Sequence, residues 1–294
     1  MVERSGSLRI VRPLGSESSE YTAPLIEGGP DLLPRTRRLW RAAAALGDLA
    51  VMPNVRADSA LASLLSRAGW WHAPDLSAPA PFLARRDYAD WAAYQKTQSA
   101  SLRQNLRRVR QRLAEKGPFT LVAEDPASSA PLVDWLLDHK KRWLDSEGLH
   151  NDWIGRRDYR DFLVALATPA DSPVVLFALK VDGEPIAAKL ATVDPVRLES
   201  HIDVYDPQWS FCAPGKLVNE HCVAWAFERG LDFDLRVGDE PYKREWAPLT
   251  CQTTTWYIAT GWRGLPVVAR RRAVLWSWQL RALLRRLLRR GRGT

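Results

Sequence analysis

The chain has 294 residues, of which 46% are apolar, enough for one large domain or two small ones with a substantial core. Its formal net charge of +8 is concentrated in residues 261–294, which hold ten arginines and no lysine, aspartate or glutamate. The rest of the chain is close to neutral, which argues against a nucleic-acid-binding domain, because such domains usually carry their basic residues on a folded face.

The N-terminal part of the sequence predicts a small lobe of strands and helices. Strands are predicted at Leu8–Val11 and Asp48–Val55, and helices at Leu32–Leu46 and Ser59–Ala68. The prolines of Pro74–Ala84 favour an extended segment, because proline is excluded from helix interiors.

Two helices follow, predicted over Asp87–Gln98 and Ser101–Lys116. In the second, leucine and valine recur every three or four residues and form an apolar stripe. The opposite face is basic and consists of Arg103, Arg107, Arg108, Arg110 and Arg112. Such a face is either a solvated surface or a binding surface for a phosphate or an acidic sugar, and the pattern leaves both open.

The middle of the chain predicts an antiparallel meander. The predicted elements are a strand at Phe119–Asp125, helices at Ala130–Glu147 and Asp158–Ala167, and strands at Val174–Lys180, Ile186–Val193 and Arg197–Tyr205. Alternation along the last strand predicts a packed face of Leu198, Ser200, Ile202 and Val204 and a polar face of Glu199, His201, Asp203 and Tyr205. We interpret the polar face as the wall of a wet cleft, and an exposed sheet face is the alternative.

A loop of small residues, Ser210–Gly215, precedes a helix predicted over Lys216–Glu228. Backbone N–H groups and the helix dipole at such a position can bind an anion. A Pro-Gly pair before a helix can also be a simple turn, so the loop by itself does not decide between the two interpretations.

Residues 231–248 combine a predicted buried strand, Leu231–Leu235, with a turn dense in charge. The charged residues of this turn are Arg236, Asp239, Glu240, Lys243 and Arg244. A polar turn at the carboxyl end of a core strand is a common location for chemistry in α/β proteins. The same charges could instead pair with one another and stiffen the turn.

The last helix is predicted over Val267–Arg290, with Trp276 and five leucines on one stripe and arginines on the other sides. A basic amphipathic helix of this kind favours an anionic membrane surface, or a membrane-bound partner, that would bind residues 265–294. Packing on its own domain or dimerisation is the alternative.

Several classes of protein are disfavoured by what the sequence lacks. Its three cysteines include no C-x-x-C pair, which argues against structural zinc or a disulfide framework and fits a reducing compartment. Neither a secretory signal nor an apolar run of about 18 residues occurs, so we expect a cytoplasmic protein. No G-x-S-x-G motif, Walker loop or metal-ligand spacing is present.

Three segments, in this order, resemble the FemAB-like branch of the GNAT acyltransferases, which includes the CelD-type proteins of bacterial cellulose and exopolysaccharide synthesis. They are "SLRQNLRRVRQRLAEKG" (Ser101–Gly117), the run from Val174 to Gly230, and "GDEPYKREW" after "FDL". Together the resemblance covers roughly residues 95–260.

The resemblance implies an α/β fold with a GNAT-like mixed, mostly antiparallel central sheet flanked by helices. We expect a reduced N-terminal GNAT-like lobe in residues 1–95, an acyltransferase domain in residues 96–262 and a basic amphipathic helix in residues 263–294. In GNAT folds the loop and helix N-terminus bind the pyrophosphate of acyl-CoA. The cofactor-binding residues implied are Ser210, Ala213, Gly215, Lys216 and Leu217. Because the arginine-rich helix borders the cleft in the family, Arg103 and Arg107 are implied as substrate-binding residues, and we add Glu240.

Acyl transfer from a thioester needs a base, donors for the oxyanion and help for the leaving thiolate. Asp203, His201 and Glu199 are candidate bases, and Asp239 and Glu240 lie near the same sheet end. Tyr242 could donate a proton, and Lys243 offers a compact positive charge. His201 could instead be a satisfied core histidine, and Asp239 could pair with a neighbouring cation of the turn.

The leading hypothesis is an acyltransferase that moves an acyl group, by expectation acetyl, from acyl-CoA to an amine or hydroxyl of a cell-envelope or exopolysaccharide precursor. The acceptor would be a small molecule or a lipid-linked sugar, no metal is expected, and the protein would lie peripherally on the inner membrane. Aminoacyl-tRNA, the donor of some Fem-type relatives, is the alternative donor. The alternative function is a non-catalytic subunit docked on a membrane polysaccharide synthase.

Overall fold

The computed structural model describes residues 1–15, 19–67 and 71–290, with side chains at all of these except residues 67, 76 and 278–290. The chain forms two compact units. One combines residues 1–79 with residues 251–294, and the other consists of residues 80–250. The domain boundaries predicted at residues 95 and 262 stay predictions.

The described residues form ten strands and nine α-helices. The strands are β1 (Val2–Ser5), β2 (Leu8–Val11), β3 (Leu49–Arg56), β4 (His72–Leu83), β5 (Phe119–Ala123), β6 (Val174–Val181), β7 (Glu184–Val193), β8 (Arg197–Tyr205), β9 (Asp232–Asp234) and β10 (Leu249–Ala259). The helices are α1 (Leu32–Ala44), α2 (Ala60–Arg67), α3 (Trp91–Thr97), α4 (Ala100–Ala114), α5 (Ser129–Ser146), α6 (Arg157–Ala167), α7 (Gly215–Glu228), α8 (Pro241–Trp246) and α9 (Leu265–Arg290).

The first unit has the strand order β1-β2-β3-β10-β4, with β2 and β3 parallel. Because side chains alternate along β3, Ala50 and Met52 pack on one side of it with α1 and α2, while Leu49 and Val51 pack on the other. Val268 of α9 is fully buried in that second cluster. The start of the basic helix therefore belongs to the core of this unit.

The second unit has the strand order β4-β9-β8-β7-β6-β5, and β4 contributes residues to both units. Strands β5 to β8 form an antiparallel meander, and β9 runs parallel to β8. Helices α4 and α7 cover one face, around Leu106, Phe177 and Val223, and α5 and α6 cover the other, around Val133 and Leu163. The predicted mixed, mostly antiparallel sheet flanked by helices is confirmed.

Strand β8 contains a bulge at His201. Leu190 is paired with Ile202 and Ala191 with Ser200, so His201 has no pairing partner on β7. Leu198 consequently packs in the cluster beneath α7, whereas Ile202 packs in the cluster beneath α5 and α6. The prediction that Leu198 and Ile202 share one face is wrong, because a bulge shifts the alternation of side chains by one residue.

The parallel pairing between β8 and β9 is short. It covers three residue pairs, from Arg197–Asp232 to Glu199–Asp234. Among the described residues, no strand pairs with Ser200–Tyr205 on that side of β8. The end of β8 therefore carries backbone N–H and C=O groups that are available to a ligand rather than to a neighbouring strand.

Candidate functional site

A cavity of about 270 Å³ lies at the unpaired end of β8. Its walls are Asp203–Tyr205 of β8, Ala187–Lys189 of β7, the first turn of α7 with its preceding loop, and two aromatic residues of α8, Tyr242 and Trp246. All of these elements belong to the second unit. A concave, mostly apolar site with a few polar groups is the usual form of a small-molecule binding site.

The cavity has an exposed mouth and a buried floor. Ser210 and Ala213 are exposed, and Gly215 and Lys216 are half-buried, which places the mouth at the start of α7. Lys189 and Trp246 each have 1% of their surface exposed, and Asn219 has 6%. These three side chains form what we call the floor.

The floor carries polar groups with few partners. The Lys189 ammonium donates to the Ser200 hydroxyl at 2.7 Å, and no described carboxylate lies within 4.0 Å of it. The side-chain oxygen of Asn219 and the indole N–H of Trp246 have no hydrogen-bond partner among the described residues. These two unpaired groups are unusual, because buried polar groups are nearly always hydrogen-bonded.

The loop at the mouth follows from local sequence. The Asp206 carboxylate accepts from the Gln208 amide at 3.0 Å and starts a turn that ends at Ala213, whose φ of 49° lies in the left-handed region. The amides of Lys216 and Leu217 donate to the carbonyls of Ala213 and Pro214, at 3.1 and 3.0 Å. Those two amides are therefore used within the turn, and the helix dipole and the Lys216 side chain remain to attract an anion.

Four of the five predicted cofactor-binding residues line this cavity, namely Ser210, Ala213, Gly215 and Lys216. The fifth, Leu217, is fully buried in the core beneath α7. The Lys216 ammonium also pairs with Glu245 at 2.7 Å. The cofactor role of these residues stays a prediction, although their common location is now described.

Of the predicted catalytic residues, Asp203 and Tyr242 line the cavity, whereas Lys243, Asp239 and His201 do not. Helix α8 is held in place from α3, because the Tyr94 hydroxyl donates to the Trp246 carbonyl at 2.7 Å in a buried bond. Burial raises the pKa of Tyr94 to about 12, so this donor stays protonated.

The charged turn before α8 is paired internally. Lys243 is 4% exposed, and its ammonium donates to the Val237 carbonyl at 2.7 Å and lies 3.1 Å from the Glu240 carboxylate. Arg244 forms an ion pair with Asp239. The catalytic role predicted for Lys243 and Asp239 and the substrate-binding role predicted for Glu240 stay predictions, and their described contacts stiffen the turn.

A second polar cluster forms around Arg236. Its guanidinium lies 3.6 Å from the Glu199 carboxylate and contacts Nδ1 of His201, whose Nε2 lies 3.4 Å from the Tyr159 hydroxyl of α6. Burial and the adjacent Arg236 lower the pKa of His201 to about 3. Burial raises the pKa of Glu199, and Arg236 opposes that shift. His201 is thus neutral and weakly basic, and it contacts the α6 side of the sheet.

The predicted substrate arginines lie in a separate groove of about 440 Å³. Arg103 and Arg107 line it with Lys96, Arg110 and Glu220. The Arg103 guanidinium donates to carbonyls at the end of α3, including that of Lys96 at 3.2 Å. Glu240 is not among the lining residues, so the structure brings two of the three predicted substrate residues together.

The second unit is therefore an α/β fold whose mixed sheet forms part of the wall of a cavity. Residues 100–244 match the model of the acetyltransferase (GNAT) domain family. The FemAB-like branch within that superfamily stays a prediction.

Solved structures resemble the chain in fold. One is a conserved protein of unknown function from Bacteroides thetaiotaomicron, which is 13% identical with a TM-score of 0.57 and is aligned over 88% of this chain and 81% of its own. Another is the C-terminal domain of a putative lysylphosphatidylglycerol synthetase from Agrobacterium fabrum, which is 14% identical with a TM-score of 0.53, over 82% and 77% of the two chains. No curated protein matches the sequence.

Sequence reasoning missed all three residues of the floor. Lys189 is the one charged residue in the apolar run from Ile186 to Val193, and that isolation was the available signal. Asn219 interrupts the buried stripe of α7, and Trp246 directly follows the charged turn. Within the described residues, no His, Cys, Asp and Glu side chains cluster as metal ligands, and no helix could span a membrane.

Proposed function

We propose that the protein is an acyltransferase that binds acyl-CoA in the β8 cavity and transfers the acyl group to an amine or hydroxyl of a cell-envelope precursor. The observation that carries the proposal is the buried floor of a cavity at the unpaired end of β8, together with the match of residues 100–244 to the GNAT family model. Acetyl is the acyl group implied by the family description, and acyl-CoA supplies the activated thioester.

The floor complements the pantetheine arm of coenzyme A. That arm contains two amide groups, and each offers one N–H donor and one carbonyl acceptor. The Asn219 side-chain oxygen can accept from an amide N–H, and the Trp246 indole N–H can donate to an amide carbonyl. At the mouth, Lys216 and the N-terminus of α7 offer positive charge to the phosphates.

Two lining residues are suited to the proton transfers. Asp203 is exposed at the mouth side of β8 and can accept the proton of the attacking amine or hydroxyl. Tyr242 lies across the cavity on α8, where its hydroxyl can donate a proton to the leaving thiolate. His201 and Lys243 are less suited on present contacts, because the first is weakly basic and the second is held by the turn.

The cell-envelope acceptor is supported by two observations. The similar fold from Agrobacterium fabrum carries the name of an enzyme that synthesises an aminoacylated phospholipid. The C-terminal helix of this chain adds Arg281, Arg285, Arg286, Arg289 and Arg290, which would bind an anionic membrane or a membrane-bound synthase near a lipid-linked sugar acceptor. Aminoacyl-tRNA remains the alternative donor.

Titration calorimetry with coenzyme A and acetyl-CoA tests the proposal. We expect both to bind, and we expect Asn219→Leu and Trp246→Phe each to weaken binding about fivefold, the effect of one neutral hydrogen bond. Trp225→Phe is the matched control, because Trp225 lies on α7 outside the cavity lining. Failure of the wild-type protein to bind coenzyme A would remove the proposal.

A non-catalytic accessory function is the second candidate, and the internally paired turn before α8 favours it. Substitution of the two lining residues separates the candidates. Asp203→Asn and Tyr242→Phe should abolish acyl transfer from a folded enzyme, whereas an accessory subunit would have no thioester turnover to lose.

A further inference from the structure

The floor of the cavity holds a positive charge without a matching negative one. Lys189 is 1% exposed, and its described hydrogen-bond partner is a neutral hydroxyl, that of Ser200 at 2.7 Å. A buried ammonium is costly unless it is paired with an anion, so such a group is typical of a site completed by a ligand.

The charged groups around Lys189 do not neutralise it. Asp203 is its cross-strand neighbour, but its side chain is exposed at the cavity wall, and no ion pair joins the two. Lys140 of α5 donates to the backbone carbonyl of Asp203 at 3.2 Å and adds a further positive charge. Lys216 is already paired with Glu245. The floor is therefore the place in the cavity that most lacks a negative charge.

The position of Lys189 identifies the part of the donor that would reach it. This step rests on the proposed function, in which the phosphates of coenzyme A lie at the mouth with Lys216. A donor anchored there extends its acyl end towards the buried floor. An acetyl group would bring only a neutral methyl to the ammonium, whereas a carboxylate would pair with it.

We propose that Lys189, held in position by the Ser200 hydroxyl, forms an acyl-end subsite for a carboxylate, so that the preferred donor is the coenzyme A thioester of a dicarboxylic acid. The Lys189 ammonium supplies the positive charge, and its hydrogen bond to the Ser200 hydroxyl orients the ammonium. Because the subsite is enclosed by apolar residues such as Ala187 and Val218, the ion pair is poorly screened by water and selects strongly between acyl groups.

Calorimetry with coenzyme A, acetyl-CoA and succinyl-CoA tests the subsite. We expect the wild-type protein to bind succinyl-CoA roughly tenfold to a hundredfold more tightly than acetyl-CoA, as for a hydrogen bond to a charged group. Lys189→Met, which keeps the length of the side chain, should lose this preference. Lys216→Met is the matched control and should weaken all three ligands by a similar factor.

The outcomes separate this inference from the proposed function. If coenzyme A binds but the two thioesters bind equally, or if Lys189→Met keeps the preference, the subsite is disproved while the acyl-CoA site stands. If none of the three binds, both are disproved. Should Lys189→Met fail to fold, Ser200→Ala retains the charge and should reduce the preference for succinyl-CoA by about fivefold. An unchanged preference in Ser200→Ala would then count against the subsite.

Discussion

Lys243, for which the sequence predicts a catalytic role, has buried contacts that also stabilise the turn before α8. Its ammonium is buried and donates to the Val237 carbonyl of the preceding turn. Lys243→Met should therefore lower the free energy of unfolding by about 1–3 kcal/mol, because a buried acceptor loses a charged donor. Urea unfolding followed by circular dichroism measures this change.

The neighbouring Arg244 gives a matched control. It pairs with Asp239 on the surface, with 66% of its side chain exposed, so Arg244→Met should cost about 0–1 kcal/mol. If Lys243→Met is as stable as Arg244→Met but has lost turnover, the catalytic role predicted for Lys243 would be supported instead.

His201 should make the protein sensitive to mild acid. Its pKa is about 3 in the folded state, against an ordinary value of 6.5. Between these values the unfolded chain binds a proton that the folded chain does not, so stability falls as the pH drops from about 6.5 towards 3. The slope attributable to His201 is at most about 1.4 kcal/mol per pH unit.

Unfolding free energies measured in urea at pH values between about 4.5 and 7 check this dependence. His201→Gln should flatten the dependence, whereas His150→Gln, in an exposed loop, should leave it unchanged. Equal slopes in the wild type and His201→Gln would mean that His201 titrates normally.

The turn between β9 and α8 depends on one glycine. Gly238 has a φ of 137°, and a Cβ there would lie 2.2 Å from the Glu240 carboxylate and 2.6 Å from the Lys243 ammonium. Gly238→Ala should destabilise the protein by more than about 1 kcal/mol, because it adds a clash to the cost of a left-handed backbone.

Gly230→Ala separates these two costs. Gly230 has a φ of 71°, but a Cβ there would meet nothing within 4 Å. Thermal unfolding of both variants gives the comparison. A melting temperature that falls equally in both would show that the contacts around Gly238 relax at no cost.

The meander could be predicted because each strand carries its own local signal. The Asp182-Gly183 turn fixes the hairpin of β6 and β7, and the apolar stripe of α4 fixes its buried face. The bulge at His201 could not be predicted in the same way, because it depends on how β8 pairs with β7. The error in the facing of Leu198 and Ile202 follows directly from that bulge.

The residues that form the floor of the cavity could not be predicted from local sequence patterns either. Lys189 is on β7, and Asn219 and Trp246 are on the different helices α7 and α8. Their convergence depends on packing between elements distant in sequence. The residues of the mouth, Ser210, Ala213, Gly215 and Lys216, lie close together in sequence, and the resemblance to the GNAT family singled them out.

The C-terminal helix divides into two parts with different expected roles. Val268 is fully buried in the first unit, and Arg271 of the same helix pairs with Asp75. Trp276 is 77% exposed, and the predicted stripe from Leu280 to Leu288, with the arginines from Arg281 to Arg290, lies outside the described side chains. Membrane binding by this helix stays a proposal.

Two truncations test this division. Removal of residues 278–294 should leave the melting temperature nearly unchanged and abolish flotation with anionic phosphatidylglycerol vesicles, since each arginine near such a surface contributes about 1 kcal/mol. Removal of residues 265–294 should also destabilise the fold, by about 2 kcal/mol for the loss of buried Val268 alone. Neutral phosphatidylcholine vesicles are the control, and undiminished flotation after the shorter truncation would contradict the proposal.

Helix α7 contributes to both ends of the cavity, with Gly215 and Lys216 at the mouth and Val218 and Asn219 one turn further along. The spacing between Lys216 and Asn219 is consequently set by the rise of an α-helix, about 1.5 Å per residue. A single alanine inserted after Lys216 would rotate Asn219 by about 100° around the helix axis and carry its amide away from the ligand. Helix α7 therefore holds Asn219 at a fixed distance from the Lys216 side of the cavity.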